Sequence, residues 1–140
     1  MTPSSLSGGC LCGGVRYELT EAPVSASYCH CRRCQRRTGT AASAQARVAP
    51  GALRIVQGAE LVREWAPPDG WPKCFCSVCG GALWSRSPTD PDLFSVRLGT
   101  FDEDPGIRPT LRQFVAYAAP WEKIPDDGLE RFDESSMAKR

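Results

Sequence analysis

The segment Cys76-Ser77-Val78-Cys79-Gly80-Gly81 is a tight turn flanked by two cysteines, and a second pair, Cys10 and Cys12, lies far upstream. The two-residue gap between Cys76 and Cys79 lets the backbone curl around one cation, and the following glycines accept a positive φ where such a turn closes. Cys10 and Cys12 are two residues apart, so in extended backbone both sulfurs leave the same face. The two pairs together predict a tetrahedral, structural Zn(Cys)₄ site that ties the N-terminal part of the chain to its middle.

Three further cysteines lie between these pairs, in the segment Cys29-His30-Cys31-Arg32-Arg33-Cys34. Cys29 and Cys31 share a face in a strand, and Cys31 and Cys34 share a face in a helical turn. His30, the only histidine, points away from the sulfurs under the same alternation. Three thiolates leave one coordination position open, which is the arrangement of catalytic zinc and suits an external thiol as fourth ligand. Cys29, Cys31 and Cys34 are therefore predicted to hold a labile, catalytic zinc, for two zinc ions per chain.

Other interpretations of the cysteines stay open. The four could be ordinary buried cysteines, and the three could form a second structural site that Cys74 completes. The three could also oxidise reversibly once metal is lost. Cys74 itself is expected to be a small buried hydrophobe.

Length and charge narrow the class of protein. A chain of 140 residues predicts one domain, over residues 7–134, with disordered tails at 1–6 and 135–140. The net charge of +1 argues against nucleic-acid binding, and no apolar run is long enough to cross a bilayer. A cytoplasmic location is expected, where clustered cysteines bind metal more often than they form disulfides. Four basic residues beside the middle cluster would suit an anionic substrate or be a solvated helical face: Arg32, Arg33, Arg36 and Arg37.

Short β-rich runs separated by Gly, Pro and Asp predict an all-β fold of short antiparallel strands around the cysteine knuckles. Only Cys31 to Arg37 predicts a helical turn. Trp65 and Trp84 are expected in the core. The predicted strands are Val15–Leu19, Val24–Tyr28, Leu53–Val56, Leu61–Trp65, Leu83–Ser85, Leu93–Leu98 and Phe114–Tyr117.

Four segments carry a resemblance to a known family: Gly8–Tyr17, Cys29–Gly39, Phe75–Gly80 and Pro120–Ile124. In these segments the chain resembles the glutathione-dependent formaldehyde-activating enzyme family, which shares its domain with centromere protein V. The resemblance implies an Mss4-like β-sandwich or tent and the same division between structural and catalytic zinc. It also implies reversible condensation of glutathione with formaldehyde to S-hydroxymethylglutathione, classed as a carbon–sulfur lyase. Two departures are the extra Cys74 and a segment, 112–114, that lacks an expected histidine.

The leading hypothesis is therefore a zinc-dependent enzyme acting on the adduct of a small thiol such as glutathione. The first alternative is a non-catalytic zinc module that binds protein or nucleic acid, for which the four arginines are the support. The second alternative is a thiol or metal redox switch at Cys29, Cys31 and Cys34, which requires exposed thiols of low pKa.

Overall fold

A computed structural model describes residues 6–136 of the chain, which form eleven short strands and, within that range, a single α-helix. No helix in the described range is long and apolar enough to cross a membrane. The helix is α1 (Arg32–Thr38), and Gly39 ends it in the left-handed conformation. The strands are β1 (Leu6–Gly9), β2 (Arg16–Leu19), β3 (Ser25–Cys29), β4 (Ser43–Arg47), β5 (Leu53–Gln57), β6 (Val62–Trp65), β7 (Lys73–Cys76), β8 (Ala82–Arg86), β9 (Phe94–Arg97), β10 (Leu111–Gln113) and β11 (Glu130–Arg131).

The described strands form two open sheets. The small sheet has the order β1-β2-β5, and the large sheet has the order β11-β10-β3-β4-β9-β8-β7-β6. Neighbouring strands run antiparallel, except that β10 pairs in parallel with β3 on one side and β11 on the other. The prediction of an all-β, Mss4-like fold is confirmed, with these two parallel pairings as a local exception.

The hydrophobic core joins the two sheets. Tyr17 from the small sheet packs its ring edge-on against Trp84 from the large sheet, with ring centroids 5.8 Å apart. Val15 and Val96 are fully buried in the same cluster. Trp84 is therefore a core residue, as predicted. The prediction for Trp65 was wrong, because Trp65 lies on the edge strand β6 and is 53% exposed.

The segment after Gln113 departs from its prediction. A strand was expected over Phe114–Tyr117, but Phe114 adopts the left-handed conformation with φ 59° and Val115–Tyr117 form a 3₁₀ turn. The Phe114 amide donates to the Glu134 carbonyl, and the Val115 amide donates to that of Phe132. These hydrogen bonds to the C-terminal segment satisfy the backbone amides of Phe114 and Val115 where the chain leaves the sheet.

The ends of the chain are partly described. Residues 1–5 and 137–140, which make up most of the two expected tails, lie outside the described residues. Leu6 was assigned to the N-terminal tail, but it begins β1 and pairs with Leu19. Ser136 was assigned to the C-terminal tail, but it is buried and its amide donates to Gln113 Oε1 at 3.1 Å.

Two glycines, Gly51 and Gly58, differ in how closely other parts of the backbone approach them. A Cβ at Gly58 would lie 2.0 Å from the Gly14 carbonyl oxygen, whereas a Cβ at Gly51 would meet no described atom within 4 Å. Both glycines have a positive φ. We expect Gly51→Ala to cost about 1–2 kcal/mol of unfolding free energy from backbone strain alone. Gly58→Ala should cost distinctly more, because the backbone around Gly14 must also move.

Urea unfolding of the metal-loaded variants measures both losses. Equal losses for the two substitutions would mean that the close approach at Gly58 does not constrain the fold.

Candidate metal centres and the adjoining cavity

Four cysteine sulfurs meet where two hairpins end. Cys10 and Cys12 lie in the turn between β1 and β2, whereas Cys76 ends β7 and Cys79 lies in the turn between β7 and β8. The four sulfurs all lie within 4.8 Å of one another. The Sγ atoms of Cys10 and Cys12 are 3.6 Å apart, and those of Cys12 and Cys76 are 3.9 Å apart. The sequence-predicted set is thus brought together from two different sheets.

The geometry of this four-sulfur group fits zinc. Tetrahedral coordination with Zn–S bonds of about 2.3 Å places the sulfurs roughly 3.8 Å apart. Backbone amides point at the sulfurs: Val15 N lies 3.2 Å from Cys10 Sγ, and Val78 N lies 3.4 Å from Cys76 Sγ. Hydrogen bonds from the amides of Cys12 and Gly81 lower the pKa of Cys79 to about 6. Amide donors of this kind favour the thiolate form that a metal requires.

The second group consists of Cys29, Cys31 and Cys34, whose sulfurs also lie within 4.8 Å of one another. Cys29 ends β3, and Cys31 is the N-terminal cap of α1, where its sulfur accepts a hydrogen bond from the Cys34 amide at 3.3 Å. The change from strand to helix at Cys31 turns all three sulfurs inward, as the mixed spacing predicted. Cys29 and Cys34 are buried, whereas Cys31 is partly exposed.

The charges of this three-sulfur group favour a bound cation. Hydrogen bonds to Cys29 and Cys31 lower the pKa of Cys34, helped by Ser43 and by the positive charge of Arg37. Hydrogen bonding to Cys31 and Cys34, together with burial, raises the pKa of Cys29. One cysteine of the group is therefore stable as a thiolate. Ionisation of a second thiol is opposed by repulsion between the two negative charges. A thiophilic divalent cation removes that repulsion, so the residues fit zinc.

The three-sulfur group opens into a cavity of about 480 Å³. All three cysteines contribute to its lining. Phe114, the one described non-glycine residue with a positive φ, also lines it. The volume is in the range of small-molecule pockets, so the sulfurs have an open approach on one side.

The sheet wall of this cavity carries three cations that the sequence did not single out: Arg47 on β4, Lys73 on β7 and Arg97 on β9. Strand register explains their position. Lys73 lies opposite Ser85, and Ser85 lies opposite Ser95, two residues from Arg97, so these side chains share one face of the sheet. Alternation in Phe94-Ser95-Val96-Arg97, with apolar residues facing the core, was the signal available in the sequence.

Burial and repulsion by a neighbouring cation lower the pKa of Lys73 and of Arg97. Burial, followed by the charge of Arg97, lowers the pKa of Lys73 to about 8. Burial, followed by the charge of Arg37, lowers the pKa of Arg97 to about 10. Arg37, Lys73 and Arg97 therefore lie within electrostatic reach of one another.

The four arginines near the middle cluster have different environments. Arg33 pairs with Asp69 at 2.7 Å, and Arg32 donates to the Gln35 side chain. Arg36 is exposed. Arg37 is the exception, because its three guanidinium nitrogens are buried without a hydrogen-bond partner in the described part of the chain. The interpretation of these arginines as a solvated helical face therefore describes Arg36, but not Arg37.

His30 turns away from the sulfurs, in agreement with the alternation argument. It is buried, and Arg112 Nη1 donates to His30 Nε2 at 3.2 Å. Burial, followed by the charge of Arg112, lowers the pKa of His30. Arg112 in turn donates to Asp127 at 2.6 Å. Arg112 lies in the segment where a histidine was expected, and here it anchors this buried network.

Cys74 belongs to neither sulfur group. It is buried in the core, and burial raises the pKa of its thiol to about 11. It also lines a second cavity of about 670 Å³ with Trp65 and Phe75. None of the seven clustered cysteines lines that cavity, although Arg33 and Lys73 line both cavities. A site completed by Cys74 has no support in the geometry.

The fold and the two sulfur groups define the class, which is an all-β, Mss4-like domain with two candidate metal centres. Within that class, the family model of the glutathione-dependent formaldehyde-activating enzyme matches residues 5–117. The chain belongs to this family, and the resemblance stated from the sequence is confirmed.

Two individual proteins are similar to the chain. A Halomonas elongata protein, provisionally named as a glutathione-dependent formaldehyde-activating enzyme, is 30% identical over 105 residues, which are 71% of this chain and 67% of that protein. The crystal structure of a Rhodobacter sphaeroides protein matches 90% of this chain and 98% of its own, with a TM-score of 0.57 and 22% identity. The second likeness supports the fold alone.

Single cysteine substitutions test the two groups. We expect two zinc ions per wild-type chain, and one fewer in both Cys12→Ser and Cys31→Ser, because each removes a ligand. Cys12 is exposed, so its substitution removes little packing. Elemental analysis of purified protein measures the metal content.

Cys74→Ala is the matched control and should retain both ions. Loss of zinc in Cys74→Ala, or full zinc content in Cys31→Ser, would contradict the proposed ligand sets.

Proposed function

We propose that the protein catalyses the reversible condensation of glutathione with formaldehyde to S-hydroxymethylglutathione, as a carbon–sulfur lyase in the reverse direction. The observation that carries the proposal is the convergence of the Cys29, Cys31 and Cys34 sulfurs at an open cavity. Membership of the family supports glutathione as the thiol and formaldehyde as the aldehyde.

The two sulfur groups divide structural and catalytic work in this proposal. Cys10, Cys12, Cys76 and Cys79 hold a structural zinc, since four thiolates complete a tetrahedron and leave no position for a substrate. Such a site contributes an apparent stabilisation of about 10–16 kcal/mol at neutral pH, which is comparable to the stability of a whole domain. Cys29, Cys31 and Cys34 would hold a labile zinc, which an external thiol could reach through the cavity that these residues line.

The reaction requires little rearrangement of bonds. The glutathione sulfur attacks the formaldehyde carbon, so that a C–S bond forms while the carbonyl π bond breaks. The thiol proton ends on the former carbonyl oxygen, which becomes the hydroxyl of the product. When bound at the three cysteines, zinc lowers the pKa of a thiol and presents it as the nucleophilic thiolate.

The protein's own groups bring the reactants together. Cys29 and Cys34 are buried at the cavity, so a thiol that reaches them is withdrawn from bulk water. Cys31 is the partly exposed member of the group. Holding two reactants in one cavity converts a bimolecular addition into an effectively unimolecular step.

The rate of exchange at equilibrium tests the activity, because uncatalysed addition of glutathione to formaldehyde is already easy. We expect the zinc-loaded wild type to accelerate the exchange of ¹³C-formaldehyde with S-hydroxymethylglutathione, measured by NMR exchange spectroscopy. Cys31→Ser should leave the buffer rate unchanged, and Cys74→Ala should match the wild type. A wild-type exchange rate equal to that of buffer alone would contradict the proposal.

Metal retention tests the division between the two zinc ions. Dialysis of the native protein against excess glutathione should reduce two zinc ions to one, because an external thiol competes only at the open site. Elemental analysis before and after dialysis gives the count, and the far-UV circular dichroism should not change. Loss of both ions together with the fold would show that the sites do not differ as proposed.

A further inference from the structure

Three cations near the three-sulfur group have no acidic partner. No salt bridge within residues 6–136 involves Arg37, Lys73 or Arg97. The guanidinium nitrogens of Arg37 and the Nε of Arg97 are also buried without a hydrogen-bond partner in the described range. Burying a charge without a partner is costly, so such groups usually complete their bonding with a ligand or an ion.

Neighbouring arginines show that acidic partners were available elsewhere. Arg33 on α1 pairs with Asp69, and Arg86 on β8 makes two hydrogen bonds to Glu64. Arg97, on the next strand, donates a hydrogen bond to the neutral Ser85 hydroxyl and forms no salt bridge in the described part of the chain. Asp69 also lines the cavity of the three sulfurs, but its carboxylate is paired with Arg33 and forms no salt bridge with Lys73 or Arg97 in the described range.

The charges around the three-sulfur group indicate the charge of the ligand that would bind there. Three thiolates with one divalent zinc carry a single negative charge. With Arg47, which also lines the cavity, the four cations exceed it by three positive charges, which favours a ligand that brings a carboxylate together with its thiolate. Lys73 and Arg97 line the same cavity as the three cysteines, whereas Arg37 does not line that cavity.

We propose that Arg97 and Lys73 bind a carboxylate of the thiol substrate while its sulfur reaches the three cysteines. The inference rests on the proposed function and assigns the residues that select an anionic thiol over a neutral one. Arg97 and Lys73 are specificity-determining residues in this scheme, and the charge of Arg37 is a positioning contribution from outside the cavity. A guanidinium is well suited to a carboxylate because its planar N–H groups match the two oxygens.

Two thiols of nearly the same shape, one with a carboxylate and one with a neutral amide, separate the contribution of the charge to binding from that of the sulfur. Isothermal titration of the zinc-loaded full chain with 3-mercaptopropionate and with 3-mercaptopropionamide compares a carboxylate with a neutral amide of the same size. We expect the wild type to bind the acid at least roughly tenfold more tightly, as charge-assisted hydrogen bonds allow. Arg97→Gln and Lys73→Gln should each reduce this preference while leaving amide affinity unchanged.

Arg36→Gln is the matched control, because Arg36 is an exposed arginine on α1 that does not line this cavity. It should retain the wild-type preference. Equal affinities of the wild type for the two thiols would overturn the inference and leave the proposed function intact. A preference that survives both Arg97→Gln and Lys73→Gln would overturn the assignment of these residues. Binding of neither thiol would overturn the proposed function as well.

Discussion

The meeting of four sulfurs at two hairpin tips is the constraint on which the rest of the structure depends. The β1–β2 hairpin belongs to the small sheet and the β7–β8 hairpin to the large one, so the group joins the two sheets directly. Below it, the Tyr17–Trp84 contact joins the same sheets through the core. A domain of this size has a modest core, and a metal bound at the hairpin tips would fix how the sheets face each other.

Strand β7 links this constraint to the cavity. Its alternating residues Cys74 and Cys76 face the core, and Cys76 contributes to the four-sulfur group. Lys73 lies on the opposite face and lines the cavity of the three-sulfur group. One strand therefore contributes a ligand to one centre and a cation to the other, because successive side chains of a strand point to opposite faces. A shift of β7 would therefore displace groups in both sites.

Local patterns made several features predictable from the sequence, and their absence explains the errors. The cysteine groups follow from spacing, since residues two or three apart bring their sulfurs together whatever the rest of the fold does. Strand β4 was missed because Ser-Ala-Gln-Ala-Arg contains no β-branched or aromatic residue, yet it pairs with β3 and β9. Phe114 was assigned to a strand because of its aromatic ring, but its backbone bonds to the C-terminal segment.

The sequence by itself determined the family, the all-β class and the membership of each cysteine group. It could not determine which basic residues face the sulfurs. Four arginines adjoin the middle cluster in the chain, but Arg33 pairs with Asp69 and Arg36 is exposed. Lys73 and Arg97 reach the cavity from strands far along the chain. Only the tertiary structure decided this, because the face on which a strand residue lies depends on register and on which side of the sheet is buried.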